Sequence, residues 1–455
     1  MFFEPKLWTR LRDVDNFGPT KQKVFILSAQ LQSISTLLNA AKDSVKADLT
    51  VKLWDGSTID YNRTDAPNIE VVINSADTIR QMLLKPNIAT LFGLYGSGDI
   101  SITDASPLQL LKATDHVSII KFFKSYSKAK LAKALAPFVF KERAKFSPRA
   151  FLDRFQKGKR DDKAMIAFHY DVSNDFYKLF LDSGMVYSCA YFKDWDNDID
   201  QAQIDKLDHI CRKLRLKPGE QMLDVGCGWG SLACHAAEFY GVTVKGVTLS
   251  ETQFALVNER IKQRGLEDKV TVELTDFRDL KERNHFDKIS MIEMFEHIGA
   301  DNYDSYYKNI HRMLKPGGLC LHQASTRRVT PNLADFDHPT GYQKTITKYI
   351  FPGGELDHIG RTITDFERHG FEVHDTESLR EHFRLTLELW HDKLWENRAE
   401  AEELVGDELV RLWLAYFALF EVGFQRNVVN LYQTLSSKRR IGVTGPPATR
   451  EDIYA

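Results

Sequence analysis

Three glycines at alternate positions follow an acid at the end of an apolar stretch. Asp224 precedes Gly226, Gly228 and Gly230, and a helix-compatible run occupies 231–240. Glycine lets the backbone turn tightly and approach a ligand at positions where a Cβ would collide. The helix that follows begins with N–H groups that have no partner within the helix. The spacing predicts a nucleotide-type binding turn, and its alternative is a plain strand-to-helix turn.

Two carboxylates form a second concentration of reactive side chains. Glu293 and Glu296 come directly after the apolar stretch 286–292. Two residues three positions apart on an opening helical turn can lie on the same face. Burial and mutual repulsion would raise the proton affinity of one of them, which suits a group that must take up a proton. The alternative for Glu293 is a side chain that points to solvent or pairs with a nearby base.

The elements that must position these residues alternate between strand and helix patterns. Strands are predicted at 243–247, 270–274, 286–292 and 319–322, after the strand that ends in the glycine turn. This alternation predicts an α/β fold with a doubly wound parallel sheet, in which the ligand lies at the carboxyl ends of the strands.

The residues after the second of these strands distinguish between two ligands. A dinucleotide site usually has an acid about 20 residues after the glycines for the ribose, whereas here Thr248, Leu249 and Ser250 follow the strand. An acid ahead of the first glycine, here Asp224, is typical of S-adenosylmethionine methyltransferases, in which it faces the cationic end of the cofactor. Asp276 follows the third strand, where it is well placed to meet an adenine. Methyl transfer is therefore the favoured chemistry.

Further motifs lie in a fixed order along the chain. They are HYDVSNDFY at 169–177, YSCAYF at 187–192, LDVGCGWG at 223–230, GVTLS at 246–250, FEHIG at 295–299, LH at 321–322 and YIFPGG at 349–354. With them, the chain from about 168 to 437 resembles the cyclopropane-fatty-acid synthase and mycolic-acid cyclopropane synthase family. The resemblance implies a seven-stranded class I methyltransferase domain, Rossmann-like in its topology. It also implies that a methyl carbon from S-adenosylmethionine is added to the double bond of an unsaturated phospholipid acyl chain, giving a cyclopropane fatty acid.

The same resemblance implies which residues form the site. The cofactor-binding residues would be Tyr187, Ser188, Asp224, Gly226, Gly228, Gly230, Thr248, Gln253 and Asp276. In the substrate pocket, His169 and Tyr170 would lie at the mouth and Phe383 within. Family members also hold a bicarbonate ion as the base, and Cys189, Glu296 and His322 match three residues of its cradle.

Three positions depart from the family pattern around this anion. Phe383 stands where the family has a tyrosine and cannot donate a hydrogen bond. Ala324 replaces an isoleucine, and Glu293 replaces a small residue. We therefore expect Glu293 to occupy or crowd the bicarbonate space and to act as the base itself. In that case a methyl- or methylene-branched chain becomes an alternative to the cyclopropane, which is the commonest activity of the family.

Two other classes of function are compatible with the fold. A methyltransferase for small molecules or proteins would need a polar substrate pocket. A lipid-binding scaffold with an inactive methyltransferase domain would not need intact site residues, and the glycines, Asp224, Glu296 and His322 argue against it.

Composition limits the remaining possibilities. The chain has 455 residues, 43% of them hydrophobic, so two soluble domains are expected. Its five cysteines lack paired C-x-x-C spacing, which argues against a zinc site or a disulfide framework and favours a cytoplasmic protein. No metal is expected. The first residues lack the apolar core of a signal peptide.

The chain is predicted to have four parts. Residues 1–120 form a smaller N-terminal α/β domain, for which the resemblance suggests lipid presentation or dimer formation. Residues 121–165 form a basic amphipathic linker, whose segment 121–160 has the composition of a surface for anionic phospholipid; the alternative is a solvated helix between domains. Residues 166–440 form the methyltransferase domain, which includes a lid at 326–354 and C-terminal helices. Residues 441–455 form a loose tail. The protein is expected at the inner membrane face as a peripheral protein, without nucleic acid as a partner.

Overall fold

A computed structural model gives the fold of this chain. It describes residues 19–42, 45–61, 69–116, 133–138, 173–332, 336, 338–442, 446–447 and 449–454. The chain divides into two compact units, residues 1–149 and 150–455. His169, Tyr170, the predicted boundary near 120 and all of the segment 121–160 except 133–138 lie outside the described residues.

The first unit is a small α/β domain. Its elements are α1 (Pro19–Ala41), β1 (Leu49–Lys52), β2 (Thr58–Asp60), β3 (Ile69–Ile73), α2 (Ala76–Leu84), α3 (Ile88–Gly96), β4 (Ile100–Thr103) and α4 (Pro107–Ala113). The strands form one sheet in the order β2-β1-β3-β4, in which only β1 and β3 are parallel among the described pairs. Ser75 caps α2 by accepting a hydrogen bond from the Thr78 N–H, which satisfies one of the unpaired N–H groups at the start of the helix.

The second unit contains the larger sheet. Its strands are β5 (Gln221–Val225), β6 (Thr243–Thr248), β7 (Val270–Leu274), β8 (Phe286–Ile292), β9 (Leu314–Arg327), β10 (Phe371–Ser378) and β11 (Val429–Lys438). Its helices are α5 (Asn174–Lys178), α6 (Ile199–Lys213), α7 (Ser231–Tyr240), α8 (Glu251–Gln263), α9 (Tyr303–Met313), α10 (Gly341–Tyr349), α11 (Ile359–Arg368), α12 (Arg380–Glu396), α13 (Arg398–Val405), α14 (Asp407–Gln425) and α15 (Glu451–Tyr454).

The seven strands have the order β10-β11-β9-β8-β5-β6-β7. Strands β9, β8, β5, β6 and β7 are parallel, whereas β11 pairs antiparallel with both β9 and β10. The central strands are buried along most of their length, as expected for a sheet that helices cover on both faces. The predicted doubly wound α/β fold, with seven strands and a smaller N-terminal domain, is confirmed.

The end of the chain differs from the expected loose tail. The side chain of Ile453 is 2% exposed, and the Tyr454 ring lies 5.7 Å from that of His209 on α6. Arg215 and Asp452 form an ion pair with a 2.6 Å N–O distance. The Gly/Pro-containing composition after 441 did not indicate this contact, because one buried isoleucine and one ion pair hold such a short helix in place.

Candidate active site

The predicted glycine turn lies between β5 and α7. Gly226, Gly228 and Gly230 have φ angles of +75°, +55° and +80°, a region that side chains with a Cβ rarely adopt. At Gly230 an added Cβ would lie 2.1 Å from Cγ2 of Val257 on α8. The three glycines therefore allow both the tight turn and the close packing of α7 against α8 behind it.

A first cavity opens over this turn, at the carboxyl ends of β5, β6 and β8. Eight of the nine predicted cofactor-binding residues line it: Tyr187, Ser188, Asp224, Gly226, Gly228, Thr248, Gln253 and Asp276. Gly230 does not line the cavity but packs behind it against Val257.

Asp224 provides negative charge at the floor of the first cavity. Its carboxylate Oδ1 accepts a 2.7 Å hydrogen bond from the Ser290 hydroxyl. Burial raises the pKa of Asp224 to about 6, although this hydrogen bond and the charge of Lys206 oppose the shift. A ligand with a positive charge would favour the ionised carboxylate. The floor thus fits the cationic end of S-adenosylmethionine.

Two further predicted residues are held by neighbouring side chains. The Thr248 hydroxyl donates a 2.8 Å hydrogen bond to Oε1 of Gln253, which leaves the Gln253 amide N–H groups for a ligand. Oδ1 of Asp276 accepts hydrogen bonds from N–H and Nε of Arg278, at 2.8 and 2.9 Å. Asp276 is therefore oriented by an arginine at the wall of the cavity.

A second, largely aromatic cavity adjoins the first. The residues that line it come from the predicted lid, from α10, α12 and α14, and from the start of β11. Its aromatic residues are Tyr187, Tyr342, Phe351, Phe383, Trp390, Tyr416 and Phe420. Tyr187, Glu293 and His297 line both cavities, so the two spaces meet at these three side chains.

Glu293 is fixed at this junction. Its carboxylate Oε1 accepts hydrogen bonds from the Cys189 N–H at 2.8 Å and from Nε2 of Gln323 at 2.6 Å. Within the described residues, both hydrogen bonds of the carboxylate fall on Oε1 and none on Oε2. The Glu293 backbone has φ +53°, a conformation that costs about 1–3 kcal/mol and persists only where the surroundings hold it.

The surroundings of Glu293 favour its neutral form. Burial raises the pKa of Glu293 to about 7, and the nearby charge of Glu296 acts in the same direction. The hydrogen bonds from Cys189 and Gln323 and the charge of Lys206 oppose this rise. A carboxyl group that titrates near neutral pH can both accept and release a proton.

Glu296 lies beside this junction in the second cavity. Its Oε1 accepts a 2.6 Å hydrogen bond from the Ser325 N–H. Its Oε2 is buried and has no hydrogen-bond partner in the part of the chain that the structure describes. Burial raises the pKa of Glu296, so the pair of carboxylates is disfavoured in its doubly ionised state.

Cys189 contributes its backbone rather than its thiol to this site. The side chain is fully buried, and its Sγ lies 3.1 Å from the carbonyl oxygen of Ala190. Burial and the charge of Glu293 raise the pKa of the thiol well above its ordinary value. The thiol is therefore protonated and is not a nucleophile.

His322 lies away from both cavities, contrary to the expected cradle. Successive residues of a strand point to opposite faces, and Gln323 points to Glu293. His322 consequently points to the other face of β9, where its Nδ1 lies 2.9 Å from the Tyr306 hydroxyl and its ring packs against Phe295 and Phe366. Burial lowers the pKa of His322 to about 3, so the ring is neutral.

Phe383 lies in the second cavity, as expected for the substrate pocket. Its ring packs against Trp390 and Phe424, with centroid distances of 6.2 and 4.9 Å. It offers a carbon surface where a tyrosine would offer a hydroxyl.

The arrangement differs from the bicarbonate cradle that the resemblance implies for family members. The Cys189 N–H, which would face the anion, donates instead to the carboxylate of Glu293. His322 is turned away, and Phe383 has no donor. The carboxyl group of Glu293 thus engages the Cys189 N–H that the resemblance assigns to the anion.

Lys206 and Gln323 belong to the site but were not predicted. Lys206 is 2% exposed, and its Nζ donates a 2.9 Å hydrogen bond to the Ser188 hydroxyl in the first cavity. A lysine in a helix ordinarily faces solvent, so its type gave no signal. The position of Gln323 beside His322 was a usable signal, because strand alternation places one of two neighbours on the site face.

Metal-binding clusters and membrane-spanning helices are both absent from the described residues. Within them, no group of three or more histidine, cysteine, aspartate or glutamate side chains is placed to hold a metal ion. No described helix has both the length and the apolar character needed to cross a bilayer.

Sequence comparisons identify relatives over most of the chain. The sequence model of the family described as mycolic acid cyclopropane synthetase matches residues 157–434. A probable fatty acid methyltransferase of Pseudomonas putida is 36% identical over 418 residues, which are 92% of this chain and 99% of that protein. The cyclopropane-fatty-acyl-phospholipid synthase of Escherichia coli (strain K12) is 37% identical over 271 residues, 59% of this chain and 66% of that protein.

Solved structures resemble the second unit. The cyclopropane synthase MmaA2 from Mycobacterium tuberculosis matches with a TM-score of 0.58 and 32% identity, over 61% of this chain and 98% of that one. The mycolic acid cyclopropane synthase CmaA1 complexed with SAH and CTAB matches with a TM-score of 0.58 and 33% identity, over 62% of this chain and 99% of that one.

Proposed function

Because the chain belongs to the mycolic acid cyclopropane synthetase family, we propose that it methylates a double bond of unsaturated phospholipid acyl chains, with Glu293 as the base. It is an S-adenosylmethionine-dependent methyltransferase. The observation that carries the proposal is the junction of the two cavities, where a fixed carboxylate faces both a cofactor space and an aromatic space.

The first cavity would hold the cofactor. Asp224 would face its positive charge, the glycine turn would allow close approach of the backbone, and Gln253 would meet the ribose. S-adenosylmethionine supplies an electrophilic methyl group on a positively charged sulfur. Tyr187, which lines both cavities, would separate the cofactor from bulk water on the side of the substrate.

The second cavity would hold the acyl chain. An alkene is a weak nucleophile, so it must be held in line with the methyl group and apart from water. As its π electrons form the new carbon–carbon bond, a positive charge develops on the chain. Aromatic faces stabilise such a charge without forming a bond to it. The Tyr187 and Trp390 rings, 5.1 Å apart, are aromatic walls of this cavity.

Glu293 would complete the reaction by taking a proton from the cationic chain. Oε1 is engaged by two donors, so Oε2 is the oxygen that would accept the proton. The electron pair of the broken C–H bond remains on the chain, and the carboxyl group becomes neutral. With its pKa near 7, Glu293 is ionised in a large fraction of molecules at neutral pH and returns the proton afterwards.

The product depends on which proton Glu293 removes. Loss from the carbon next to the cation leaves a branched unsaturated chain, and loss from the added methyl group closes a cyclopropane ring. The ring is the first candidate, because the family and the similarity to the Escherichia coli synthase support it. The branched chain is the second candidate, and the presence of Glu293 in place of the family's small residue supports it.

The test is Glu293→Gln, which keeps the size and the hydrogen-bond acceptor at Oε1 but removes the base. We expect methyl transfer to vesicles of unsaturated phospholipid to fall at least about 100-fold, while S-adenosylhomocysteine binding stays within about twofold. Glu421→Gln is the matched control, because Glu421 is also fully buried but lines neither cavity. A near-normal rate for Glu293→Gln would refute the proposed base.

Chemical rescue sharpens this test. In Glu293→Gly the Cys189 N–H loses its carboxylate partner, and a small added anion can take that place. We expect formate or bicarbonate to restore part of the activity to Glu293→Gly and none to the wild type. Mass spectrometry of the acyl chains, followed by NMR, then separates a ring from a methyl-branched alkene, since both add one CH2.

A further inference from the structure

Two glutamines on neighbouring strands form a relay behind the proposed base. Gln323 on β9 donates its Nε2 hydrogen to Glu293 at 2.6 Å, and Nε2 of Gln433 on β11 donates to Oε1 of Gln323 at 2.7 Å. The two residues are directly opposed in the antiparallel pairing of these strands. Both are 0% exposed.

The direction of the relay follows from the inventory of donors and acceptors. A glutamine amide presents an oxygen on one side and NH2 on the other. If Gln323 were reversed, its oxygen would face the carboxylate of Glu293 and its NH2 would face the NH2 of Gln433. The first contact is repulsive. Gln433 could relieve the second by turning, because its Oε1 has no hydrogen-bond partner within the described residues. The carboxylate of Glu293 therefore sets the direction, and Gln323 donates to it while accepting from Gln433.

This orientation has a consequence for proton transfer. A hydrogen bond donated to a carboxylate favours its ionised form. It also engages Oε1, so Oε2 is the carboxylate oxygen without a hydrogen bond within the described residues. Backbone geometry reinforces the pairing, because the Glu293 N–H donates to the Gln323 carbonyl oxygen at 2.8 Å.

We propose that Gln323 is a positioning residue that favours the ionised form of Glu293 and selects Oε2 as the oxygen that takes the proton, and that Gln433 supports it by donating to its Oε1. This inference rests on the proposed function. It assigns a role in catalysis to β11, the antiparallel strand, which lies about 140 residues after Glu293 in the sequence. It also explains how an acid can be buried at position 293, because the Gln323 amide donates a hydrogen bond that stabilises its carboxylate.

The test measures the pH dependence of methyl transfer under single-turnover conditions, with vesicles of unsaturated phosphatidylglycerol. Gln323→Met keeps the length of the side chain but removes the donor. We expect its rate to need a higher pH, with the acidic limb of the pH–rate profile displaced upward by about one unit. Loss of packing alone would lower the rate at every pH and leave this limb in place.

Gln433→Met tests the second member of the relay. It removes the amide that donates to Oε1 of Gln323 and leaves the donor of Gln323 in place. We expect an upward displacement of the acidic limb here as well, smaller than in Gln323→Met. Gln433→Met carries the test if Gln323→Met does not fold.

Thr434→Val is the matched control. Thr434 is the next residue of β11, is fully buried, and its hydroxyl has no hydrogen-bond partner within the described residues. Its pH–rate profile should match the wild type. The relay is refuted if folded Gln323→Met and Gln433→Met keep the acidic limb within about 0.2 units of the wild type. Failure of the base itself is recognised separately, by a near-normal rate in Glu293→Gln.

Discussion

The two cavities of the second unit are built in different ways. The first depends on backbone: three glycines in one turn, helix starts and strand ends that follow each other closely in sequence. The second depends on side chains brought together from the lid, α10, α12, α14 and β11. The residues of the first cavity are thus close together in the sequence, whereas the shape and chemistry of the second cavity depend on packing between distant parts of the chain.

The junction between the cavities combines both kinds of construction. Glu293 lies at the end of β8, a position that the motif predicts, but its hydrogen-bond donors come from residues more than 25 positions away on either side. Substitutions should therefore separate into those that act through the backbone of the first cavity and those that act through side chains of the second.

The largest effect is expected for Gly230→Ala. The new Cβ would lie 2.1 Å from Val257 in a backbone with φ +80°. Strain and overpacking together should destabilise the second unit by about 2–5 kcal/mol and displace the start of α7 from the cofactor. Thermal unfolding and calorimetric binding of S-adenosylhomocysteine measure the two effects.

Gly219→Ala is the control for this substitution. Gly219 has a similar φ of +84°, but its added Cβ would meet no atom within 4 Å. It should show the conformational cost alone, about 1–3 kcal/mol, with unchanged cofactor binding. Equal stability and equal affinity in the two variants would contradict the role of the Val257 contact.

The sequence predicted the first cavity well because its residues lie in contiguous motifs. Strand–turn–helix order and the residue types at 224–230 specify the turn, so eight of nine predicted residues line the cavity. The strands and the order of the elements follow in the same way, from hydrophobic periodicity and from the residues at turns. The departure at Glu293 was likewise visible as a residue type at a known position.

The placement of the other site residues depends on long-range packing, which a sequence motif does not contain. His322 matches the family by position, but only its pairing on β9 shows that Gln323, not His322, faces Glu293. The aromatic residues of α12 and α14 have helical spacing, yet both helices are buried on several sides, so periodicity cannot show which rings reach the cavity. Lys206 is buried because carboxylates surround it, and these are distant in sequence.

An intermediate effect is expected on stability as a function of pH. The pKa of Glu293 is about 7 in the folded protein, above its ordinary value of 4.5. The neutral carboxyl therefore contributes stability that is fully present below about pH 4.5 and is lost as the pH rises through about 7. The loss is about 3 kcal/mol, and the ionised form needed for catalysis is the less stable one.

Comparison of wild type with Glu293→Gln isolates this contribution. The amide does not titrate, so the variant should gain thermal stability relative to the wild type between pH 5 and pH 8. A difference in Tm that stays constant over this range would show that Glu293 does not titrate near neutral pH. It would also remove the basis for its role as a base that is regenerated after each turnover.

The smallest effect is expected for Trp390→Phe in the second cavity. Trp390 is 1% exposed, lines this cavity and not the first, and packs against Tyr187 at the junction. Phenylalanine keeps an aromatic face but offers a weaker one to a cation. A loss of about 1 kcal/mol in transition-state stabilisation corresponds to a roughly fivefold lower rate of methyl transfer. S-adenosylhomocysteine binding should not change.

Trp413→Phe separates this effect from packing. Trp413 is equally buried, at 2% exposure, and belongs to the same aromatic cluster, with its ring 5.9 Å from that of Tyr187, but it lines neither cavity. Both variants lose similar packing, so their thermal stabilities should fall by similar amounts. Only Trp390→Phe should lower the single-turnover rate. A similar rate loss in both would mean that the aromatic cluster acts through rigidity, and that charge stabilisation at the wall of the second cavity adds little.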